Sequence, residues 1–160
     1  MITVTENGTH VELHGHRADA NTPPIILIHG LGLNKGMWEH QIKPLTAYNQ
    51  VICYDLYGHG ASPPPPEKPS LRMFSQQLAD LMEALNIASA SVMGFSLGGM
   101  ITRRFAMDYP DKVASIGILH SPHKRSKAAH DHIQSRVYQA QKDGPDATVE
   151  DALIRWFTDD

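Results

Sequence analysis

"SVMGFSLGGM", residues 91–100, sets a serine between glycines at the point where one sequence pattern gives way to another. Upstream, "SASVMGF" has the short apolar run of a buried strand. Downstream, Met100, Ile101 and Phe105 fall on related helical faces until Tyr109-Pro110. A serine on such a strand-to-helix turn projects clear of the sheet, sits on strained backbone and faces the free N–H groups of the new helix. A Cβ at Gly94 or Gly98 would collide with the adjoining strand or helix, which accounts for a glycine two residues to either side of Ser96. The G-x-S-x-G pattern arises by chance in roughly one chain in twenty of this length. Its strand-then-helix setting is what gives it weight, against a glycine-rich helix start with an idle serine.

The same alternation extends outward from this turn. "PPIILIHG", "NQVICYDLYGHG" and, after the serine, "VASIGILH" are continuous apolar runs, the pattern of parallel strands buried on both faces. In "SLRMFSQQLADLMEALN", Leu71, Phe74, Leu78, Leu81 and Leu85 step by three or four, with Ser70 as N-cap, so a helix is expected. Residues 1–16 alternate around Asn7-Gly8, which predicts an N-terminal hairpin closed by a tight turn. The fold class expected is therefore α/β, a mostly parallel sheet with flanking helices. "ASPPPPEKP" reads as a stiff polyproline connector over the surface. From Lys124 the composition turns polar and helical, with a break at Gly144-Pro145 and Thr148 as a further N-cap. Ala129, Ile133, Val137 and Ala140 give only a narrow apolar stripe there. The composition divides the chain into 1–123 and a helical segment 124–160.

Bulk properties narrow the function classes. A chain of 160 residues, 41% hydrophobic, is sized for one globular unit. With net charge -3 and acids mixed among bases, no basic stripe is present to draw nucleic acid or a membrane surface. No apolar run approaches the roughly 18 residues of a membrane span, and "MITVTENG" lacks the pattern of a secretory signal. The lone Cys53 forms no internal disulfide, which fits a reducing cytoplasm.

A second motif supports the serine. "ILIHGLGLNKGMW" ends a buried strand in His29-Gly30-Leu31-Gly32, a turn whose backbone can approach a ligand closely. The backbone N–H groups of Leu31 and Leu97 are the candidate oxyanion donors, each worth about 3 to 4 kcal/mol in a transition state. His29 is read as ordering this loop by hydrogen bonding rather than as a base.

With "HGLG", "DLYGHGAS" (Asp55 to Ser62) and "GFSLGG" in this order, the sequence resembles the α/β-hydrolase superfamily. "MWEHQ" (Met37 to Gln41) and "RWFT" (Arg155 to Thr158) are similar to its esterase and lactonase branch, which includes 3-oxoadipate enol-lactonases. The resemblance implies a serine hydrolase of small carboxylic esters or lactones without a cofactor, acylated at Ser96, with residues 124–160 as the start of a helical cap; Trp38 either lines an apolar acyl pocket with that cap or is a core residue. Serine at the elbow excludes the carboxylate-nucleophile relatives that form alkyl esters. The family's triad runs Ser, then Asp or Glu, then His, with the last two beyond the cap. The chain thus resembles an N-terminal part, with the triad acid and histidine expected beyond residue 160. Little turnover is expected from these 160 residues alone, and the strand 113–120 is expected to form an unpaired apolar edge.

Several groups present in the chain compete for those roles. His120 and His123 follow "VASIGILH" and are expected near the mouth of the site, since neighbouring parallel strands end on the same side, but the resemblance places the base on a later loop. Asp55, ahead of a glycine turn, is read as structural. The pairs His14/His16, His120/His123 and His130/His132 lack a third ligand, so no metal site is expected. Two other readings stand beside hydrolysis: a receptor-like binding module that keeps the fold without turnover, and a cofactor-free haloperoxidase or perhydrolase. The pattern says nothing of oligomeric state.

Overall fold

Val, Ile and Leu in unbroken runs leave a strand no polar face, so such strands belong inside a sheet. The computed structural model, which describes residues 1–17, 19, 22–124 and 126–156, puts two of them there. β3 (Ile25–Ile28) and β4 (Val51–Tyr54) lie at the centre of a six-stranded sheet, and every residue of β4 is buried. With β1 (Ile2–Val4), β2 (His10–His14), β5 (Ala90–Phe95) and β6 (Val113–Leu119), the strand order is β1-β2-β4-β3-β5-β6. The pairings of β2 with β1 and β4 are antiparallel, and the remaining three are parallel.

Successive side chains of a strand point to opposite faces, and two apolar clusters follow. Ile26, Ile28, Ile52, Tyr54 and Val92 pack on α2 (Leu71–Ala84) and α3 (Leu97–Asp108). Leu27, Val51 and Cys53 pack on the other face with Trp38 and with Ile42 and Leu45 of α1 (Glu39–Leu45). Burial drives the Cys53 thiol up to about 12, so the sulfur behaves as a small core hydrophobe. Ser70 caps α2 by accepting the Met73 N–H at 3.1 Å, and Pro110 ends the helical run after α3.

Three local features differ from the sequence expectation. The N-terminal connection is a wider loop over residues 5–9. Gly8 alone is left-handed (φ 82°), while the Asn7 side-chain Oδ1 accepts from the Thr5 hydroxyl, from the Thr9 hydroxyl and from the Thr9 N–H. The Asn7 side chain thus does the work that a two-residue turn would leave to its backbone. Secondly, α1 has no strong sequence signal. A 3-10 turn, Lys35–Trp38, precedes it, capped by Asn34 accepting the Gly36 N–H at 2.8 Å. Thirdly, β6 is not buried on both faces: Ala114, Ser115 and Ile116 are exposed, because β6 lies at the sheet edge, the position expected for 113–120, with β5 as its sole neighbour among the described residues. The proline run links β4 to α2, with Pro63 against Gly8 and Pro65 against Gly58.

Residues 1–122 form one compact unit, and those from His123 on form a second. The second unit holds α4 (Lys127–Asp143), a 3-10 turn at Pro145–Thr148 and α5 (Val149–Trp156). Ser126 caps α4, and Thr148 closes the 3-10 turn that leads into α5. Phe157 and Thr158 of the "RWFT" stretch, and Asp160, lie outside the described residues. No helix among the described residues is long and apolar enough to cross a membrane.

Candidate active site

Ser96 connects the end of β5 to the start of α3 with φ 51° and ψ -109°, a conformation that costs a side-chain-bearing residue about 1 to 3 kcal/mol. Its N–H donates to the Leu119 carbonyl at 2.9 Å, and its carbonyl accepts the Met100 N–H at 3.2 Å. The comparison with Ser70 and Ser126 is informative. Both of those serines have the extended ψ of a cap residue (158° and 160°), and their hydroxyls accept a helix N–H. Ser96 makes no such bond, because its backbone turns the hydroxyl away from the helix it precedes. The serine at this helix start is therefore not an ordinary cap.

The glycines are required sterically. A Cβ on Gly94 would overlap the Gly98 carbonyl and crowd Thr102, and a Cβ on Gly98 would overlap the Ile28 carbonyl on β3. A Cβ on Gly30 would lie 3.4 Å from the Ser96 Cβ, so the turn after β3 and the serine turn are neighbours. That turn is closed by the Leu33 N–H donating to the Gly30 carbonyl at 3.2 Å, with Gly32 left-handed at φ 74°. Leu31 is 60% exposed, so its candidate contribution is the backbone N–H; the Leu97 side chain packs on the core. Among the described residues, neither N–H donates to a protein acceptor.

His29 is fully buried. Its Nε2 accepts the Leu56 N–H at 3.0 Å, which leaves Nδ1–H to donate to the Gly30 carbonyl at 2.8 Å. Only a neutral ring satisfies both bonds. Burial lowers its pKa to about 4, assisted by His59 and Lys35 and opposed by the Gly30 carbonyl and Asp55. The folded state therefore disfavours the proton. The stability that neutral His29 contributes is complete above pH 6.5 and drains away as pH falls from 6.5 toward 4. Urea unfolding should lose about 2 kcal/mol between pH 7 and pH 5 through this group. That increment should be missing in His29→Gln, which keeps an acceptor but does not titrate.

Asp55 is also fully buried. It accepts from the Lys35 N–H (2.8 Å), the Lys35 ammonium (2.8 Å) and the Ala61 N–H (3.0 Å). Burial pushes its carboxyl up, but the bonds from Ala61 and Lys35 outweigh it and hold the group below the usual carboxylate range. A Cβ on Gly60 would strike this carboxylate. Ser62 donates to the Asp55 carbonyl at 2.7 Å, and Gln77 bonds the same carbonyl and the Tyr57 N–H. Asp55 thus knits the loop after β4 to the loop after β3. Lys35 and Gln77, whose contacts span 20 residues or more, carried no sequence signal.

Trp38 is buried on the α1 face of the sheet. With Leu27, Leu45, Met93 and Leu119 it lines an apolar cleft of about 370 Å³. The cleft shares Leu119 with the serine turn, since that residue's carbonyl holds the Ser96 N–H. His120, directly after Leu119, stacks on Phe95 with ring centroids 6.1 Å apart and planes 13° from parallel. His123 belongs to the second unit. His14 ends β2, 3.3 Å from Glu12, and His130 and His132 lie on α4. Among the described residues, no three His, Cys, Asp or Glu side chains gather at one point.

Comparison with known proteins agrees with the fold. A family model described as alpha/beta hydrolase fold matches residues 23–157. The (E)-2-((N-methylformamido)methylene)succinate hydrolase of Acinetobacter baylyi is 31% identical over 84% of this chain and 50% of its own length. The 3-oxoadipate enol-lactonase 2 of the same organism is 30% identical over 87% of this chain and 51% of its own. The crystal structure of the enol-lactonase from Burkholderia xenovorans superposes with a TM-score of 0.87 at 26% identity, over 99% of this chain and 60% of that one. The chain spans about half the length of the curated relatives it matches.

Proposed function

The chain belongs to the α/β-hydrolase fold family, and from that premise we propose that it carries the nucleophile and oxyanion donors of a serine hydrolase of small carboxylic esters or lactones. The observation that carries the proposal is Ser96: strained, uncapped, and beside the His29–Gly32 turn. Outliers of this kind concentrate where function maintains them.

In the proposed reaction Ser96 Oγ attacks the substrate carbonyl carbon while its proton passes to a histidine. The carbonyl π electrons move onto oxygen, and the Leu31 and Leu97 N–H groups receive the resulting oxyanion. Collapse expels the alcohol or enol oxygen, which takes the proton and leaves an acyl-Ser96. Water then repeats the sequence and frees the acid. The histidine and its acid partner are assigned to the part of the fold that this chain, spanning about half the length of its relatives, does not include. Trp38 is assigned to the cleft wall that bounds the acyl chain, on the strength of the apolar lining it shares with Met93 and Leu119. The segment from 124 on is assigned to a helical cap. Names ending in succinate hydrolase and oxoadipate enol-lactonase support the substrate class, and the unpaired Cys53 fits a cytoplasmic setting.

Leu31→Pro tests the reading. Proline suits the second position of a turn whose third residue is a left-handed glycine, so the loop survives while the N–H disappears. In the full-length protein kcat should drop about 10² to 10³-fold with little change in Tm. An unchanged kcat in the folded variant would remove Leu31 from the oxyanion hole.

A further inference from the structure

The turn after β3 is anchored at both ends to two consecutive residues that follow β4. At its start, His29 Nε2 accepts the Leu56 N–H at 3.0 Å. At its finish, the Lys35 N–H donates to Asp55 Oδ1 and the Lys35 ammonium donates to Asp55 Oδ2, each at 2.8 Å. One lysine thus occupies both oxygens of a fully buried carboxylate, and its own side chain is only 15% exposed. Glu12 of β2 lies 3.7 Å from the same ammonium. A buried ion pair contributes little net stability, but separating its members strands a charge away from water, so it tolerates few arrangements.

Between the two anchors lies the peptide that joins Gly30 to Leu31. Its carbonyl accepts from His29 Nδ1–H at 2.8 Å and from the Leu33 N–H at 3.2 Å. A trans peptide is planar, and its N–H points opposite to its C=O. The two donors that fix the Gly30 carbonyl therefore also aim the Leu31 N–H. Leu33, one of those donors, stands two residues before Lys35, so displacement of the far anchor acts directly on the bond that sets this direction. His29 secures one end of the turn, and Lys35 secures the other.

We infer that Lys35 is a positioning residue for the proposed hydrolysis: its ammonium fastens the far end of the 29–35 turn to Asp55 and so holds the Leu31 N–H where the oxyanion forms. This role rests on the hydrolase reading and adds to it a residue that acts without touching substrate. Misplacement of a reacting or stabilising group by about 1 Å costs on the order of a hundredfold in rate. An oxyanion donor acts in the transition state, so the loss belongs in kcat rather than in KM.

Lys35→Met in the full-length protein removes the ammonium and keeps the backbone N–H bond to Asp55. With a short-chain ester, kcat should fall about 10- to 100-fold while KM stays within about twofold. Affinity for an alkyl boronic acid, which presents a tetrahedral oxyanion on serine, should fall in step with kcat. An unchanged kcat, or a loss confined to KM, would overturn the inference. Leu31→Pro supplies the discriminating background: with no N–H left to aim, adding Lys35→Met should cost no more than about a further twofold in kcat. Full additivity would show that the lysine acts on the fold at large, and would also overturn it. If Lys35→Met does not fold, Lys35→Gln, whose amide can reach Asp55 without a charge, takes its place with a loss of the same kind expected. If neither folds, the lysine is a folding requirement and its positioning role is lost. Ser96→Ala separates the two ideas. If that variant hydrolyses the ester at the wild-type rate, the hydrolase reading fails. If turnover needs Ser96 and the Leu31 N–H but ignores Lys35, only the positioning role is lost.

Discussion

Ser96→Ala in the full-length protein should cut ester turnover by about 10⁶-fold and abolish labelling by a fluorophosphonate, while leaving the unfolding midpoint near that of wild type. The two halves of this expectation have different origins. The kinetic loss follows from removing the proposed nucleophile. The unchanged stability follows from the Ser96 hydroxyl having no helix N–H to satisfy, so its removal orphans no donor. At Ser70 the same substitution removes a real cap and should cost about 1 kcal/mol. Ser96→Gly refines the contrast: relief of a positive φ (about 1 to 2 kcal/mol) exceeds the entropy cost of glycine (about 0.5 to 1 kcal/mol), so that variant should be inactive yet slightly more stable. Turnover retained in Ser96→Ala would refute the proposed chemistry.

Gly98→Ala should cost upwards of about 3 kcal/mol of stability. The new methyl would meet the Ile28 and His29 carbonyls, which belong to β3 and the residue following it. Neither can retreat without breaking the ladder between β3 and β5, whose register runs from Ile25 opposite Ser91 to Ile28 opposite Gly94. Gly144→Ala provides the control: nothing lies within 4 Å of the added carbon, so only backbone strain at φ 90° is charged to it. Urea denaturation of both variants measures the difference. A Gly98→Ala protein as stable as Gly144→Ala would show that α3 can slide away from the sheet.

The parts of this architecture that were legible beforehand are those written in local periodicity. Runs of Ile, Val and Leu at 25–28 and 51–54, the three- and four-residue steps of α2 and the glycines flanking Ser96 each describe their own surroundings. What the sequence concealed depends on distant partners. Asp55 shows its burial only once Lys35 and Ala61 close on it, and α1, seven residues with Pro44 inside, is specified by the sheet face it covers rather than by propensity. β6 has the apolar composition of an inner strand; the edge position expected of it from the resemblance, not its composition, accounts for an Ile116 that is 48% exposed. The strain at His120 (φ 44°) had no counterpart in composition at all. At the candidate site the legible portion was the strand-to-helix turn at Ser96 and its glycine-rich neighbour; the stacked imidazole and the loops tied together by Asp55 emerged only in three dimensions.

Cys53 sits mid-strand in β4, sealed from water, with a sulfur that resists ionisation. Alkylating reagents have no thiolate to attack until the strands part, so the rate at which this sulfhydryl is consumed is a clock for opening of the central sheet, indifferent to events at the surface.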